Sequence, residues 1–259
     1  MKFIKTSINE RIAVLTFNND SKRNSLNSNM LKEAEKAFDS FSGDDVRVVI
    51  IRSNPEAKVW SAGLDISELP NPGKDPVPYS HPVEKLMRKI ENFKAPVIAM
   101  VTGTVWGGAF DLAVTCDMIV ATPDSTFAIT PAKIGVAYNA TGLTHFLNVV
   151  EMNTVKEMFF TAKPIGATRA YNLGIINSLV EKDKIEKFTF DMAKNITHNS
   201  PLSIRVIKEQ LNLLGKSRSL TSDVFERINE LRSCSYNSYD YVEGKTAFLE
   251  KRYPVFKGK

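Results

Sequence analysis

The chain has 259 residues, 43% of them apolar, and a formal charge of +5 at pH 7. This length and composition provide one large domain or two small ones with a sizeable core, and no apolar run reaches the roughly 18 residues that a membrane span needs. The basic residues are dispersed rather than grouped with aromatic residues, which argues against a nucleic-acid-binding protein, whereas a mild positive balance suits a phosphorylated small ligand.

The N-terminal residues and the cysteines indicate the compartment. Residues 1–6 alternate like a strand and lack the long apolar stretch of a secretion signal. Cys116 and Cys234 lie far apart, in no spacing typical of a metal or redox site. We therefore expect reduced thiols and a cytoplasmic protein.

The first fifty residues predict two strands, a helix and a third strand. Residues 10–17 are typical of a strand that pairs with the alternating N-terminus, and residues 46–52 form a β-branched run typical of a buried strand. Between them we predict a helix that is capped by Ser28 or Asn29 and ends at Gly43. Its apolar positions predict one buried stripe: Met30, Leu31, Ala34, Ala37, Phe38 and Phe41.

A glycine turn, an irregular loop and a helix come next. Residues 58–66 predict the end of a strand followed by a turn at Gly63. Residues 70–82 contain five prolines and one glycine, which predicts an irregular loop. Residues 83–93 predict a helix with one apolar face: Val83, Leu86, Met87, Ile90 and Phe93.

The most informative stretch is Val101–Asp117, VTGTVWGGAFDLAVTCD. The apolar run 96–101 predicts a buried strand, Gly107 and Gly108 a glycine turn, and residues 109–114 a helix. Glycine lets the backbone approach a ligand closely, and the first N–H groups of a helix have no internal partner. The pattern therefore predicts a place where a developing negative charge is held; the alternative is a tight turn whose glycines only permit helix–strand packing.

The remainder of the chain is mostly helical. Two short strands at 118–121 and 126–129, and a loop from Pro131 to Gly142, precede a strand at 175–180. The predicted helices cover residues 142–150, 153–160, 167–173, 183–197, 201–214, 220–234 and 239–251. Alternating strands and helices followed by a helical tail predict an α/β fold with an added helical region.

Several stretches, in this order, resemble the crotonase (enoyl-CoA hydratase/isomerase) superfamily over nearly the whole chain. They are Trp60–Leu69, Gly103–Leu112 with Cys116 and Asp117, Phe160–Ala170 leading to Leu173–Asn177, and Glu243–Arg252. The resemblance implies a crotonase-like spiral of ββα repeats over residues 1–197, which would hold the acyl-CoA site. It also implies a C-terminal helical trimerisation region over residues 198–259, and hence a homotrimer or a dimer of trimers.

Further stretches resemble the decarboxylating branch of that superfamily. They are Val105–Phe110, Thr130–Pro131, Gly135–Asn139, Ser222–Arg227 and Tyr239–Gly244. This resemblance implies decarboxylation of a malonyl-type CoA thioester through an enolate, with methylmalonyl-CoA converted to propionyl-CoA. The CoA thioester would be the substrate, and no other cofactor and no metal are expected.

The resemblance also implies catalytic roles. The N–H groups of Leu64 and Gly108 would hold the thioester oxygen; members of the branch usually have histidine at position 64, but the donor there is a backbone group. Tyr138 would donate a hydrogen bond to the substrate carboxylate, with help from Thr130. Asp111 would serve in positioning or proton handling. Hydratases carry glutamates at the positions of Asp111 and Pro131, so hydration is disfavoured here.

Substrate-binding residues are implied in the same way. The adenine of CoA is expected near the backbone of Ala62 and the loop Lys22–Arg23. Phe248 and Lys251, placed on the last helix, are expected to reach the nucleotide, often from another subunit. We expect Trp60, Trp106, Phe110 and Ile134 to line the acyl pocket beside Thr130 and Pro131, and His81, His145 and His198 to be structural or surface residues.

Two other functions remain open from the sequence. One is an enoyl-CoA hydratase or isomerase that uses Asp111 alone. The other is a relative that binds acyl-CoA or RNA without turnover, although the dispersed basic residues argue against RNA.

Overall fold

Ten strands form two sheets in the structure, a computed structural model that describes residues 1–43, 45–215 and 221–259. In chain order the strands are β1 (Ile4–Asn9), β2 (Ile12–Phe17), β3 (Val48–Ser53), β4 (Val59–Ser61), β5 (Val97–Val101), β6 (Thr104–Trp106), β7 (Met118–Ala121), β8 (Thr126–Ala128), β9 (Ile165–Gly166) and β10 (Ser178–Leu179).

Ten helices within those residues connect and cover the strands. They are α1 (Ser28–Gly43), α2 (Pro82–Glu91), α3 (Gly108–Thr115), α4 (Ala140–Leu147), α5 (Met152–Thr161), α6 (Ala167–Asn172), α7 (Ile185–Thr197), α8 (Pro201–Gly215), α9 (Ser222–Tyr236) and α10 (Tyr239–Leu249). None of the described helices has the length and apolar character that crossing a membrane requires.

The larger sheet has the order β1-β2-β3-β5-β7-β10, in which only the β1–β2 pair is antiparallel. Every residue of β5 is buried, as are all residues of β3 except Arg52. Parallel strands covered on both faces are expected to have such continuous apolar sequences. The predicted α/β fold is therefore confirmed.

The smaller sheet, β4-β6-β8-β9, positions the glycine turns. β4 pairs in parallel with β6, and β6 with β8, so that the chain segments leaving β4 and β6 emerge side by side. The sequence did not predict β6, because its three residues lie within the glycine-rich segment and are too few to show a period. This parallel pairing brings Gly63 and Gly107 together.

The predicted stripe of α1 is confirmed, but its cap is not. All six apolar positions of the stripe are buried. The Oδ1 atom of Asn27 accepts a hydrogen bond from the N–H of Met30 at 2.9 Å, so Asn27 caps the helix rather than Ser28 or Asn29. Ser28 instead donates from its N–H and hydroxyl groups to the Glu68 carboxylate.

Trp60 and Phe110 belong to the core rather than to a ligand pocket. Both are fully buried. The Trp60 ring lies 4.9 Å from that of Phe17, and the Phe110 ring packs against Phe127 and Phe146. The prediction that these two aromatic residues line the acyl pocket is therefore wrong: each points to the inner side of its segment, where a large ring fills the core.

The C-terminal helices contact the rest of the molecule through a buried lysine and through a close backbone approach. Lys208 of α8 is buried and donates to the carbonyl groups of Ile90 and Ala95 and to the Asp117 carboxylate. In α10, a Cβ atom on Gly244 would lie 2.3 Å from the carbonyl carbon of Ile134. The division into residues 1–197 and 198–259 stays a prediction.

Candidate active site

A cleft lies where the two glycine turns meet α2, the loop 70–82 and the segment 130–139. Its walls are mainly apolar. The apolar lining residues include Ile66, Leu69, Pro76, Val77, Val83, Met87, Ile134 and Val136. Such a pocket with a few polar groups is typical of a site for a small molecule.

Two backbone N–H groups at one end of the cleft have no protein acceptor within the described residues. They belong to Leu64, just after β4, and to Gly108, the first residue of α3, and both residues line the cleft. The neighbouring amides are engaged: the N–H of Asp65 donates to Leu26, and that of Gly107 donates to Ala128. Unengaged N–H groups of this kind, one of them at a helix N-terminus, are the donors that bind anionic oxygens in proteins.

Glycine is required where these turns touch. Gly63 has φ +89°, and a Cβ atom there would lie 2.5 Å from the carbonyl oxygen of Trp106 and 3.3 Å from the nitrogen of Gly108. Gly107 has φ +56° and ψ −130°, which side chains with a Cβ atom rarely adopt. The close approach of the two backbones therefore depends on the absence of side chains at these positions.

Tyr138 and Asp111 lie on another wall of the cleft. The phenolic hydroxyl of Tyr138 donates to Asp111 Oδ2 at 2.8 Å. Burial and the neighbouring carboxylate both raise the pKa of Tyr138 well above its usual value, so the phenol keeps its proton. α4 packs directly on this pair, since a Cβ atom on Gly142 would lie 2.3 Å from the tyrosine ring and 2.6 Å from Asp111 Oδ2.

His145 of α4 holds the other oxygen of Asp111. Its Nδ1 atom lies 2.6 Å from Asp111 Oδ1, and its Nε2 atom lies 3.5 Å from Oε1 of Glu91. Burial alone would lower the pKa of His145, but the Asp111 carboxylate and Glu91 raise it to about 10. His145 is therefore a buried cation between two carboxylates at neutral pH.

Glu84 of α2 brings a second buried carboxyl group to the cleft. Its Oε1 atom accepts a 2.6 Å hydrogen bond from Asn139, and Arg88 lies 3.8 Å from its Oε2 atom. Burial raises the pKa of Glu84, and the Asp111 carboxylate adds to this effect, whereas the hydrogen bond from Asn139 opposes it. The cleft thus contains two carboxyl groups, not one.

An ion pair fixes the loop that forms part of the cleft wall. Arg232 of α9 donates from both terminal nitrogens to the Asp75 carboxylate, at 2.8 and 2.6 Å. Its Nε atom is buried and has no hydrogen-bond partner among the residues that the structure describes. Pro76 and Val77, which line the cleft, directly follow Asp75, so this bidentate pair holds them in place.

The structure brings together some of the predicted residues. Leu64, Gly108, Asp111 and Tyr138 line the cleft, as do Ala62, Thr130, Pro131 and Ile134. Trp106 does not: the residue is 37% exposed, and its carbonyl group makes the contact with Gly63.

The residues predicted for the nucleotide lie at the surface. Lys22 and Arg23 are exposed, and the Arg23 carbonyl group accepts a hydrogen bond from the N–H of Ala62. Phe248 is exposed near the end of α10. Lys251 lies in the turn after α10 with φ +56°, not on the helix as predicted. Neither Phe248 nor Lys251 lines the cleft.

Sequence reasoning missed two polar residues of this cluster. His145 was expected to be structural or a surface residue, yet its partner Asp111 lies 34 residues earlier in the chain. Glu84 stands next to Val83 on α2 and was left out of the apolar face. The signal in the sequence was that Glu84 lies beside the apolar face of α2 and, two helical turns before Glu91, on the same side of the helix as that residue. Over residues 1–43, 45–215 and 221–259, no group of three or more His, Cys, Asp or Glu residues is arranged to hold a metal ion.

Comparisons with known proteins identify the family to which the chain belongs. Residues 7–259 match the model of a family described as Enoyl-CoA hydratase/isomerase. The chain is 43% identical to methylmalonyl-CoA decarboxylase of Escherichia coli K12 over 248 residues, which cover 96% of this chain and 95% of that one. It is 28% identical to short-chain-enoyl-CoA hydratase of Clostridium acetobutylicum, over 93% of this chain and 92% of that one.

The chain is also similar to solved structures of methylmalonyl-CoA decarboxylase. A methylmalonyl-CoA decarboxylase complexed with 2S-carboxypropyl-CoA superposes with a TM-score of 0.98 at 41% identity, covering 100% of this chain and 99% of that one. Another, in complex with 2-nitronate-propionyl-CoA, superposes with a TM-score of 0.97 at 42% identity, covering 99% of both chains.

Proposed function

The chain belongs to the enoyl-CoA hydratase/isomerase family, and we propose that it decarboxylates a malonyl-type CoA thioester, converting methylmalonyl-CoA to propionyl-CoA. The proposal is supported by the unengaged amides of Leu64 and Gly108, two residues that line a cleft also lined by Tyr138. The 43% identity to a decarboxylase over nearly the full length supports the choice of reaction.

The amide pair stabilises the enolate. When the C–C bond to the carboxylate breaks, its electrons pass into the thioester and leave negative charge on the thioester oxygen. Donors that are already in place for that charge cost no reorganisation, and losing one typically costs roughly 3–4 kcal/mol of transition-state stabilisation. Breaking the bond needs no general base, so a site with Pro131 in place of a hydratase glutamate is sufficient for this step.

Tyr138 is the residue we assign to the substrate carboxylate, with Thr130 nearby. The bond that breaks must stand out of the plane of the thioester for its electrons to enter the carbonyl group. A fixed hydrogen-bond donor on the cleft wall holds the carboxylate in that orientation. The apolar residues of the cleft solvate the charged carboxylate poorly. Because carbon dioxide is neutral and needs no such solvation, loss of carbon dioxide is favoured.

The decisive experiment supplies purified protein with methylmalonyl-CoA and, separately, with crotonyl-CoA. We expect release of carbon dioxide and propionyl-CoA from the first and little water addition to the second. Hydration of crotonyl-CoA without release of carbon dioxide from methylmalonyl-CoA would contradict the proposal.

One observation favours hydration or isomerisation as a second candidate function. Glu84 places a second carboxyl group beside Asp111, and two carboxyl groups are what water addition to an enoyl thioester uses. Its side chain is already bonded to Asn139 and close to Arg88, which leaves it less available to a water molecule. The crotonyl-CoA arm of the experiment measures this activity directly.

We further propose how the rest of the substrate binds. Lys22, Arg23 and Ala62 lie together where the adenine and phosphates of CoA would rest, and the exposed positions of Phe248 and Lys251 suit contacts to a nucleotide in a neighbouring subunit. The reaction as proposed uses no cofactor other than the CoA of the substrate.

Self-association through residues 198–259 is part of the same proposal. α8 exposes a row of large apolar side chains: Leu202, Val206, Ile207, Leu211, Leu213 and Leu214. An exposed apolar surface of this kind favours burial against another copy of the chain. Light scattering should give a trimer or a hexamer, and a monomer at micromolar concentration would contradict this part. A cytoplasmic location likewise remains our proposal.

A further inference from the structure

The hydroxyl group of Tyr138 has one hydrogen to donate, and two carboxylates, that of Asp111 and that of the substrate, can accept it. In the structure this hydrogen goes to Asp111 Oδ2. In the proposed function, on which this inference rests, it must go to the carboxylate of the substrate. A phenol donates only one hydrogen bond, so the arriving carboxylate competes with Asp111 for it.

The charges around Asp111 decide that competition. α2 contributes Glu84, Glu91 and the Arg88 guanidinium group, α4 contributes His145, and the loop before α4 contributes Tyr138. The carboxylate of Asp111 is 3% exposed, so water does not screen it. A substrate carboxylate entering beside it brings two like charges to one phenol, a situation that favours the protonated form of one carboxyl group.

We propose that Asp111, held by His145, takes up one proton as a carboxylate-bearing acyl group enters, and returns it through Tyr138 to the substrate carbon once carbon dioxide has left. The proton sits on Oδ2, where it donates to the tyrosine oxygen. Tyr138 then turns its own hydrogen to the substrate carboxylate, and the two carboxyl groups no longer repel each other.

The atoms and charges of this step balance. Cleavage of the C–C bond releases neutral carbon dioxide and leaves an enolate anion. Tyr138 gives its hydrogen to the α-carbon, a new C–H bond forms, and the O–H bond of Asp111 breaks as its proton moves to the tyrosine oxygen. Asp111 is again a carboxylate, Tyr138 a phenol and the product neutral at the acyl group, so one proton is consumed per carbon dioxide released.

His145 acts through Asp111 and is a positioning residue. Because its Nδ1–H group occupies Oδ1 at 2.6 Å, the incoming proton is directed to Oδ2, the oxygen that faces Tyr138. Thr115 supports this orientation, since its hydroxyl group lies 3.3 Å from the same nitrogen. Glu91, at 3.5 Å from the other ring nitrogen, also raises the pKa of His145.

The first test measures protons taken up on binding, by titration calorimetry in buffers of different ionisation enthalpy. The probes are 2-carboxypropyl-CoA, a thioether that does not decarboxylate, and propyl-CoA, which lacks the carboxylate but carries the same phosphates. We expect the carboxylate ligand to take up about one proton more than propyl-CoA at neutral pH. Equal uptake by the two ligands in the unmodified protein would overturn the inference.

Two variants assign the proton to Asp111. Asp111→Asn imitates the protonated form, because its NH₂ group donates to the tyrosine oxygen, and should bind 2-carboxypropyl-CoA without the extra proton. His145→Asn keeps an N–H donor for Asp111 Oδ1 but removes the positive charge of the imidazole. It should therefore move the extra proton uptake to a different pH range. His198→Asn, the same substitution at an exposed histidine, should leave uptake unchanged. Extra uptake that persists in a folded Asp111→Asn protein would assign the proton elsewhere and overturn the inference.

The second test follows the proton to carbon. Decarboxylation of methylmalonyl-CoA in D₂O should place deuterium on one face of propionyl-CoA in the unmodified protein and on both faces in Asp111→Asn. Deuterium on both faces with the unmodified protein would overturn delivery through Tyr138. Release of carbon dioxide by the unmodified protein tests the proposed function separately. If carbon dioxide is released but deuterium is found on both faces of propionyl-CoA, the proposed function stands and this inference fails.

Discussion

The two polar walls of the cleft are built in opposite ways. In the first, Leu64 and Gly108 offer backbone N–H groups, which carry no formal charge and are fixed by the β4–β6–β8 pairing and the glycines. In the second, Tyr138, Asp111 and His145 form a chain of side chains in which each group depends on the charge of the next. The first wall therefore acts through position alone, whereas the second acts through its protonation state.

Removing one amide should have the largest effect. Gly108→Pro deletes the N–H group at the first position of α3, where proline is sterically tolerated, and should lower kcat by about 100- to 1000-fold. Gly108→Ala keeps the N–H group and adds only a Cβ atom 3.1 Å from the Leu64 side chain. Steady-state rates should therefore fall far more for proline than for alanine. Equal losses of rate in the two variants would mean that the added atoms, and not the missing N–H group, lower the rate.

Removing the tyrosine hydroxyl should have the next largest effect. Tyr138→Phe loses a hydrogen bond to a charged group, a contribution of roughly 1.5–3 kcal/mol, and should lower the decarboxylation rate about 10- to 100-fold. The affinity for propionyl-CoA, which has no carboxylate, should stay unchanged. A variant with the turnover of the unmodified protein would remove Tyr138 from the mechanism.

Loosening the loop should affect binding more than chemistry. Arg232→Lys keeps the charge but loses the bidentate geometry to Asp75, so Pro76 and Val77 become less well fixed. We expect KM to rise several-fold with kcat nearly unchanged. Arg227→Lys, an arginine on the same helix whose partner Glu230 is exposed, is the matched control and should change neither constant. A fall in kcat alone for Arg232→Lys would place the arginine in the chemistry instead.

The last expected effect concerns stability rather than turnover: the ionisable wall should make the free energy of unfolding depend on pH. Because the folded pKa of His145 is raised to about 10 from 6.5, its stabilisation is fully present below pH 6.5 and is lost as the pH rises toward 10. The difference in the free energy of unfolding between the unmodified protein and His145→Asn, from urea titrations, should shrink across that window. A constant difference would show that His145 does not change its charge there.

The same contrast explains how far the sequence was informative. Gly63, Gly107 and Gly108 are recognisable because a backbone that must approach another backbone leaves a glycine in the sequence. The apolar stripe of α1 is recognisable because burial repeats with the helix period. Both features are local, so a short stretch of sequence contains all of the information.

The ionisable wall is not local. His145, Glu84 and Asp111 come from α4, α2 and α3, and only the packing of these three helices makes one cluster of them. Trp60 and Phe110 were misplaced for a related reason, since an aromatic residue beside a glycine turn faces either the core or the ligand and the sequence does not distinguish these sides. Asn27 was missed as a cap because Ser28 and Asn29 are equally good capping residues.

The backbone donor at position 64 has a practical consequence for protein engineering. Every side chain except that of proline leaves the N–H group in place, while the side chain itself forms part of the cleft wall. Randomising residue 64 alone should thus yield a collection of enzymes that differ in which acyl chains they accept and retain a common reactive centre.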